Sequence, residues 1–167
     1  MNTLTNPIDI GLLEDACMAQ AASLSMQADQ LNAGARGYSE TDLRDWKARP
    51  DHYALRVSLG GLPRDSNVIG LMLCHADDED FIADAFLLAN SQLGRGIEHE
   101  MVRVISQMAL ACGCGAVVLP LNPSATNAAT RDFYSRLGSG IETLPTGALE
   151  VAFASIAAED MLTRVVG

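Results

Sequence analysis

The stretch Ser91-Gln92-Leu93-Gly94-Arg95-Gly96-Ile97-Glu98 has the make-up of an anion-binding turn. It follows an apolar run, 81–89, that reads as a strand. It precedes a helical pattern over 97–111 whose stripe is Ile97, Met101, Val104, Ile105, Met108 and Ala109. Glycine lets the backbone take φ > 0 and approach a ligand closely. The first N–H groups of a helix lack internal partners and suit a phosphate or pyrophosphate. Gly94, Arg95, Gly96 and Ile97 are therefore candidate phosphate-binding residues, although an ordinary strand-to-helix turn has the same composition. A second helical stretch runs over 127–137 and ends at Gly138. Its spacing places Asn127, Thr130 or Arg131, and Tyr134 near one side. A tyrosine hydroxyl at a cleft can protonate a departing thiolate; the bland alternative is that Tyr134 packs the helix against a sheet, as Phe133 does. Asp84 sits among apolar residues in 81–86, so its carboxylate must be paired or have a raised pKa. His99, between Glu98 and Glu100, reads as a solvated helix residue, and His52 is uninformative.

The elements that must position these residues follow from periodicity. Leu12, Leu13, Cys17, Met18, Ala21 and Leu24 recur at helical spacing, which predicts a helix over 8–31 ended by Asn32-Ala33-Gly34. Ser39 is an N-cap for a short second helix through Trp46. Strands are expected over 53–59, 68–74 and 81–89, with a turn at 60–63 and an acidic turn at 77–80. A buried strand over 116–119 should stop at Pro120, and 140–143 and 149–155 are further strand candidates. Residues 1–8 and 157–167 are expected to fray. The order helix, helix, three strands, helix, strand, helix, two strands predicts a mixed α/β sheet of six to seven strands with helices on both faces.

The 167 residues suit one domain. A formal net charge of −10 repels nucleic acid and anionic membranes. No apolar run approaches the roughly 20 residues of a membrane helix, and the start of the chain has no signal-peptide pattern. Four cysteines, at 17, 74, 112 and 114, lack CxxC spacing and read as thiols. Cys74 beside His75 has no second ligand pair for a metal. A cytoplasmic protein without a metal is the expectation.

The two stretches, in this order with a strand between them, resemble the GNAT superfamily of N-acetyltransferases. There an RxxGxG/A turn binds the pyrophosphate of acetyl-CoA, and a later NxxAxxFYxxxGF helix supplies a tyrosine general acid. Here Ser91 stands in the place of the leading Arg or Gln, and Thr130 in that of the alanine. The resemblance implies a GNAT fold. It implies that a pantetheine arm pairs with the strand at Leu88 and Ala89, and that Tyr134 acts as the acid. Asp84 faces the acyl group as general base or orienting residue, unless it is a structural partner of an Arg or a backbone N–H. Arg36 would wall the acceptor site, unless it forms a surface ion pair.

A narrower resemblance covers about 24–138. Gln30-Leu31-Asn32, Arg36-Gly37-Tyr38-Ser39-Glu40, Leu93-Gly94-Arg95-Gly96-Ile97-Glu98 and the 127–138 helix look like the C-terminal acyltransferase-like domain of FkbH-like proteins. Those proteins join a phosphatase domain to this one and load a glyceryl unit onto an acyl carrier protein in polyketide assembly. The present chain looks like the second half standing alone. The family's Ser-Cys-Arg is here Ala89-Asn90-Ser91. An asparagine amide cannot carry an acyl group as a thiolate does, so Asn90 is expected to donate a hydrogen bond to the thioester carbonyl instead. The donor would be acyl-CoA or acyl-phosphopantetheine on a carrier protein, and the acceptor a small molecule. Arg95, Arg103, Arg131 and Arg136 would form a local basic patch for the acidic carrier. A module that keeps this fold and only binds a carrier or biosynthetic partner is the alternative.

Overall fold

The computed structural model describes residues 8–60, 67–138 and 140–155. The fraying expected at 1–7 and at 157–167, and most of the turn at 60–63, fall outside the described residues. Eight strands are joined in one mixed sheet: β1 (Ile8–Leu12), β2 (Leu31–Asn32), β3 (His52–Leu59), β4 (Val68–Asp77), β5 (Asp80–Leu88), β6 (Ala116–Leu121), β7 (Glu142–Thr143) and β8 (Leu149–Ala154). The order is β1-β3-β4-β5-β6-β8-β7, with β2 paired to β5 off this path. Helices α1 (Met18–Gln27) and α2 (Glu40–Ala48) cover one face, and α3 (Ile97–Ala111) and α4 (Ala128–Tyr134) the other. The mixed α/β reading holds.

The expected helix over 8–31 is corrected. Its first five residues form the edge strand β1, and only Met18–Gln27 is α-helical. Ile8-Asp9-Ile10-Gly11-Leu12 alternates with period two, and β1 runs antiparallel to β3 from Ile8 opposite Leu59 to Leu12 opposite Leu55. Arg56, buried on β3, ties the edge down through Asp9 at 3.1 Å and Glu14 at 3.4 Å. The Ser39 cap is present as a full capping box with Asp42, which starts α2.

β4 runs past Cys74 to Asp77, so His75 lies in a strand and the hairpin turn is only Asp78-Glu79. A β-bulge interrupts the β4–β5 ladder: Leu73 faces Ala85 and Cys74 faces Ala83, which leaves Asp84 as the extra residue.

Pro120 does not stop its strand; β6 continues to Leu121 and pairs with β8 throughout. The proline acts on the other edge. β5 and β6 run parallel only from Asp80 opposite Ala116 to Ile82 opposite Val118. The Asn122 N–H bonds across that same edge, to the Ala33 carbonyl at 2.8 Å. Strand alternation puts the Pro120 nitrogen on this edge too. With no N–H to give, Pro120 cannot extend the parallel ladder. β5 and β6 therefore separate above Ile82.

Candidate functional site

The glycine turn forms at the top of β5. A short 3-10 turn over Asn90–Gln92 leads into Gly94 and Gly96, at φ 79° and 85°. A Cβ on either glycine would meet no atom within 4 Å, so the turn opens into free space. Gly96 is the N-cap of α3 and Ile97, fully buried, its first residue. Arg95 donates from Nη1 to Gln92 Oε1 at 2.9 Å. One side chain already enters the turn: Glu98 Oε2 accepts from the Gly94 N–H at 3.5 Å, while its buried Oε1 has no partner. Free amides and open space fit a phosphate group; the Glu98 carboxylate opposes it while ionised.

The gap above Ile82 is not empty. Residues 31–34 run antiparallel along the upper β5 edge, with Leu31 opposite Leu88 and Asn32 opposite Leu87. The Ala33 N–H donates to the Phe86 carbonyl at 3.1 Å. Asn122 closes the far side, through its N–H to the Ala33 carbonyl and through Nδ2 to the Gly34 carbonyl at 3.3 Å. Leu88 and Ala89 were expected to offer their edge to a pantetheine arm. As folded, Leu88 pairs with β2 and with β4, and the Ala89 N–H donates to the Ile69 carbonyl at 2.8 Å.

Two other expected ligand contacts hold this segment instead. Asn127, 1% exposed, donates from Nδ2 to the Asn32 carbonyl at 3.0 Å and the Asn122 carbonyl at 2.8 Å, and its Oδ1 accepts from the Ser124 N–H. Its amide is saturated, so it is a latch of the fold and not a ligand contact in this state. Asn90 donates from Nδ2 to the Asp29 carboxylate at 2.9 Å, and its Oδ1 accepts from the Gln30 N–H at 3.3 Å. That engages the donor expected to face a thioester carbonyl. Thr130, fully buried, accepts from the Asn32 N–H at 2.8 Å and donates to the Gln30 carbonyl at 3.0 Å.

Tyr134 is not at an open cleft. It is fully buried between the rings of Phe86 and Phe133, in the same apolar cluster as Leu31 and Ala33. Its hydroxyl has no hydrogen-bond partner among the described residues. Burial, with a smaller push from Cys74, holds its ionisation well above the ordinary tyrosine value. The group stays protonated at neutral pH and is sealed from solvent in this state. His99 also departs from expectation: its ring packs edge-on against Phe133 at 5.3 Å, and both ring nitrogens are buried without a partner.

On the opposite face, Asp84 has its partner. The bulge turns it toward α1 and α2, where its carboxylate meets His75 Nδ1 at 2.5 Å. The His52 ring stacks on His75 at 5.1 Å, and Trp46 sits edge-on to both. Sequence reasoning weighs His75 only as a metal ligand beside Cys74, because the expected strand ends at Cys74. Counting outward from a two-residue turn places His75 opposite Ile82, diagonal to Asp84. The pair forms a partly exposed His–carboxylate unit able to accept a proton from an incoming nucleophile. Arg36 lies exposed beside it, over the Tyr38 ring at 4.4 Å and paired with Asp42 at 3.2 Å. A cavity of about 220 Å³ on this face is lined by Ser25, Asp29, Asn32, Arg36 and Ser124. Among the described residues no cluster of metal-ligating side chains is present, and no helix is long and apolar enough to cross a membrane.

No family model matches the sequence, and no curated protein matches it. The fold has many counterparts among solved structures. The ribosomal-protein-S18-alanine N-acetyltransferase of Escherichia coli superposes with a TM-score of 0.65 at 13% identity, over 89% of this chain and 94% of that one. An acetyltransferase of the GNAT family from Staphylococcus aureus Mu50 gives 0.65 at 9% identity, over 89% and 99%. Spermidine N-acetyltransferase from Vibrio cholerae, in complex with CoA and spermine, gives 0.65 at 11% identity, over 91% and 98%. The chain has the GNAT acetyltransferase fold.

Proposed function

We propose that this protein is an acyltransferase that takes its acyl group from a pantetheine thioester, on CoA or on a carrier protein, and passes it to a small nucleophilic acceptor. The carrying observation is the open glycine turn at 94–97, set at the mouth of the gap between β5 and β6 in a GNAT fold. The amides of Gly96 and Ile97 would hold the donor's phosphate. The acceptor would lie on the α1/α2 side, near Arg36, where Asp84 and His75 stand ready to take its proton. Tyr134, kept protonated by burial, would return a proton to the thiolate once its hydroxyl is uncovered. The solved neighbour that holds CoA and spermine supports CoA as donor. The FkbH-like segments support a carrier-borne donor and a place in secondary-metabolite assembly in the cytoplasm, although the net charge of −10 works against an acidic carrier.

The test incubates the protein with acyl-CoA or acylated carrier protein and a panel of amines and alcohols, and follows intact masses. Acyl transfer from one donor is expected. Tyr134→Phe should lower turnover about a hundredfold, the usual scale for removing a general acid. A folded sample that transfers from neither donor refutes the reading. One observation favours the second reading, a non-catalytic binding module: the β5 edge is taken and the Asn90 amide is engaged. Binding of carrier protein without turnover in any form would establish it.

A further inference from the structure

We propose that residues 31–34 are an intramolecular stand-in for the donor's pantetheine arm, a strap that must leave the upper β5 edge before a donor can bind. The inference rests on the acyltransferase reading.

The competition is for the same atoms. A backbone edge offers each N–H and C=O once along its line. The edge of β5 that faces the gap is already paired at Leu87 and Leu88, and the Phe86 carbonyl accepts from Ala33. A pantetheine arm carries two amides, and to pair with this edge it must displace the amides already there. The exchange is close to like for like: amide hydrogen bonds are broken and amide hydrogen bonds replace them, so the net cost in hydrogen bonding is small.

The strap is also built to detach. Its ladder with β5 is two residues long. Its remaining ties are two backbone bonds of Ala33, to the Phe86 carbonyl and from the Asn122 N–H, side-chain bonds from Thr130, Asn127 and Asn122, and at its exposed start the bonds between Asn90 and residues 29 and 30. Ala35, a non-glycine residue at φ 55°, follows at once. A Cβ on Gly34 would lie 2.7 Å from the Tyr38 hydroxyl, so a larger residue there would have to push Tyr38 aside. Leu31 and Ala33 belong to the cluster that buries Tyr134, whose hydroxyl is left with no partner. A buried polar group without a partner calls for an explanation. On the strap reading, moving Leu31 and Ala33 out of this shared cluster loosens the packing around that hydroxyl and gives the donor access to it.

The test uses the full chain and CoA as probe, with hydrogen–deuterium exchange of the 31–34 amides and titration calorimetry. CoA should bind and make those amides exchange faster while it protects the 94–97 turn. Thr130→Val removes the hydroxyl's bonds to the Asn32 N–H and to the Gln30 carbonyl just before the strap, and keeps the side-chain volume. It should raise the population of the open form and tighten CoA binding about tenfold, since apparent affinity scales with the competent fraction. CoA binding with 31–34 as protected as in the free protein overturns the strap but leaves the donor reading intact. Absence of CoA binding to both the wild type and Thr130→Val overturns CoA as the donor, and the strap with it. Binding seen only in the variant supports both.

Discussion

One edge of β5 meets two different neighbours. Over Asp80, Phe81 and Ile82 it lies against β6, a six-residue strand that β8 backs along its whole length. Over Leu87 and Leu88 it lies against a two-residue strand held by the side chains of Asn127 and Thr130. The lower contact joins elements that are themselves sheet-bonded on the far side. The upper one is a polar attachment to a loop. Pro120 marks the boundary by withholding the N–H that would continue the first arrangement into the second. Backbone pairing on one edge can thus be permanent architecture or an exchangeable occupant, and the difference lies in what stands behind the partner strand.

Three substitutions press on this contrast. The largest effect is expected for Asn127→Ala, which leaves the Ser124 N–H and the Asn122 carbonyl without their partner and takes one of two donors from the Asn32 carbonyl. It should cost about 2–4 kcal/mol, read by urea denaturation, with the 31–34 amides losing exchange protection and the 80–82 amides keeping theirs. Equal loss in both halves would show that the two edges open as one unit. Gly96→Ala comes next. At φ 85° an L-residue is strained by about 1–2 kcal/mol, and the methyl group would stand in the open turn. A modest fall in Tm with unchanged protection at 31–34 is expected, together with weaker CoA binding; a change in strap protection would mean that turn and strap are mechanically joined. The smallest effect concerns the strand that backs β6, at its pairing with Pro120. Glu150 on β8 has its pKa raised by burial, then by Asp80 and Glu142. Because the folded-state value is raised, its contribution to stability is present below the ordinary 4.5 and lost as pH rises through the folded value. Glu150→Gln should therefore stabilise by about 0.5 kcal/mol at pH 7, given partial solvent screening, with no gain at pH 4. A pair of melting curves checks it.

Much of the scaffold was legible in the sequence. The α3 stripe, the Ser39 cap, the β3–β5 meander and the glycine turn follow from local periodicity and turn chemistry, and each stands where those rules put it. β1 was hidden because its five alternating residues run straight into a helical pattern with shared apolar positions. The site was less legible. Asn127 and Asn90 were read as ligand contacts, since nothing local announces that their partners lie 95 and 61 residues away. Tyr134 lies on α4 as the helical spacing predicts, but its full burial against Phe86 and Phe133 is a tertiary outcome that the spacing leaves open. His75 and Asp84 required counting across a hairpin, a step that spacing along one strand does not suggest.

The extra residue at Asp84 also shifts the phase of its strand. Phe81 and Ala83 belong to the core beneath α3, while beyond the bulge it is Phe86 and Leu88 that do. Odd-numbered positions point one way before Asp84 and the other way after it. Deleting Asp84 would therefore remove the offset and leave every other β5 side chain on its present face, in one unbroken alternation. Transplanting this strand into another sheet would succeed only if the recipient's neighbouring strand tolerated the same one-residue offset.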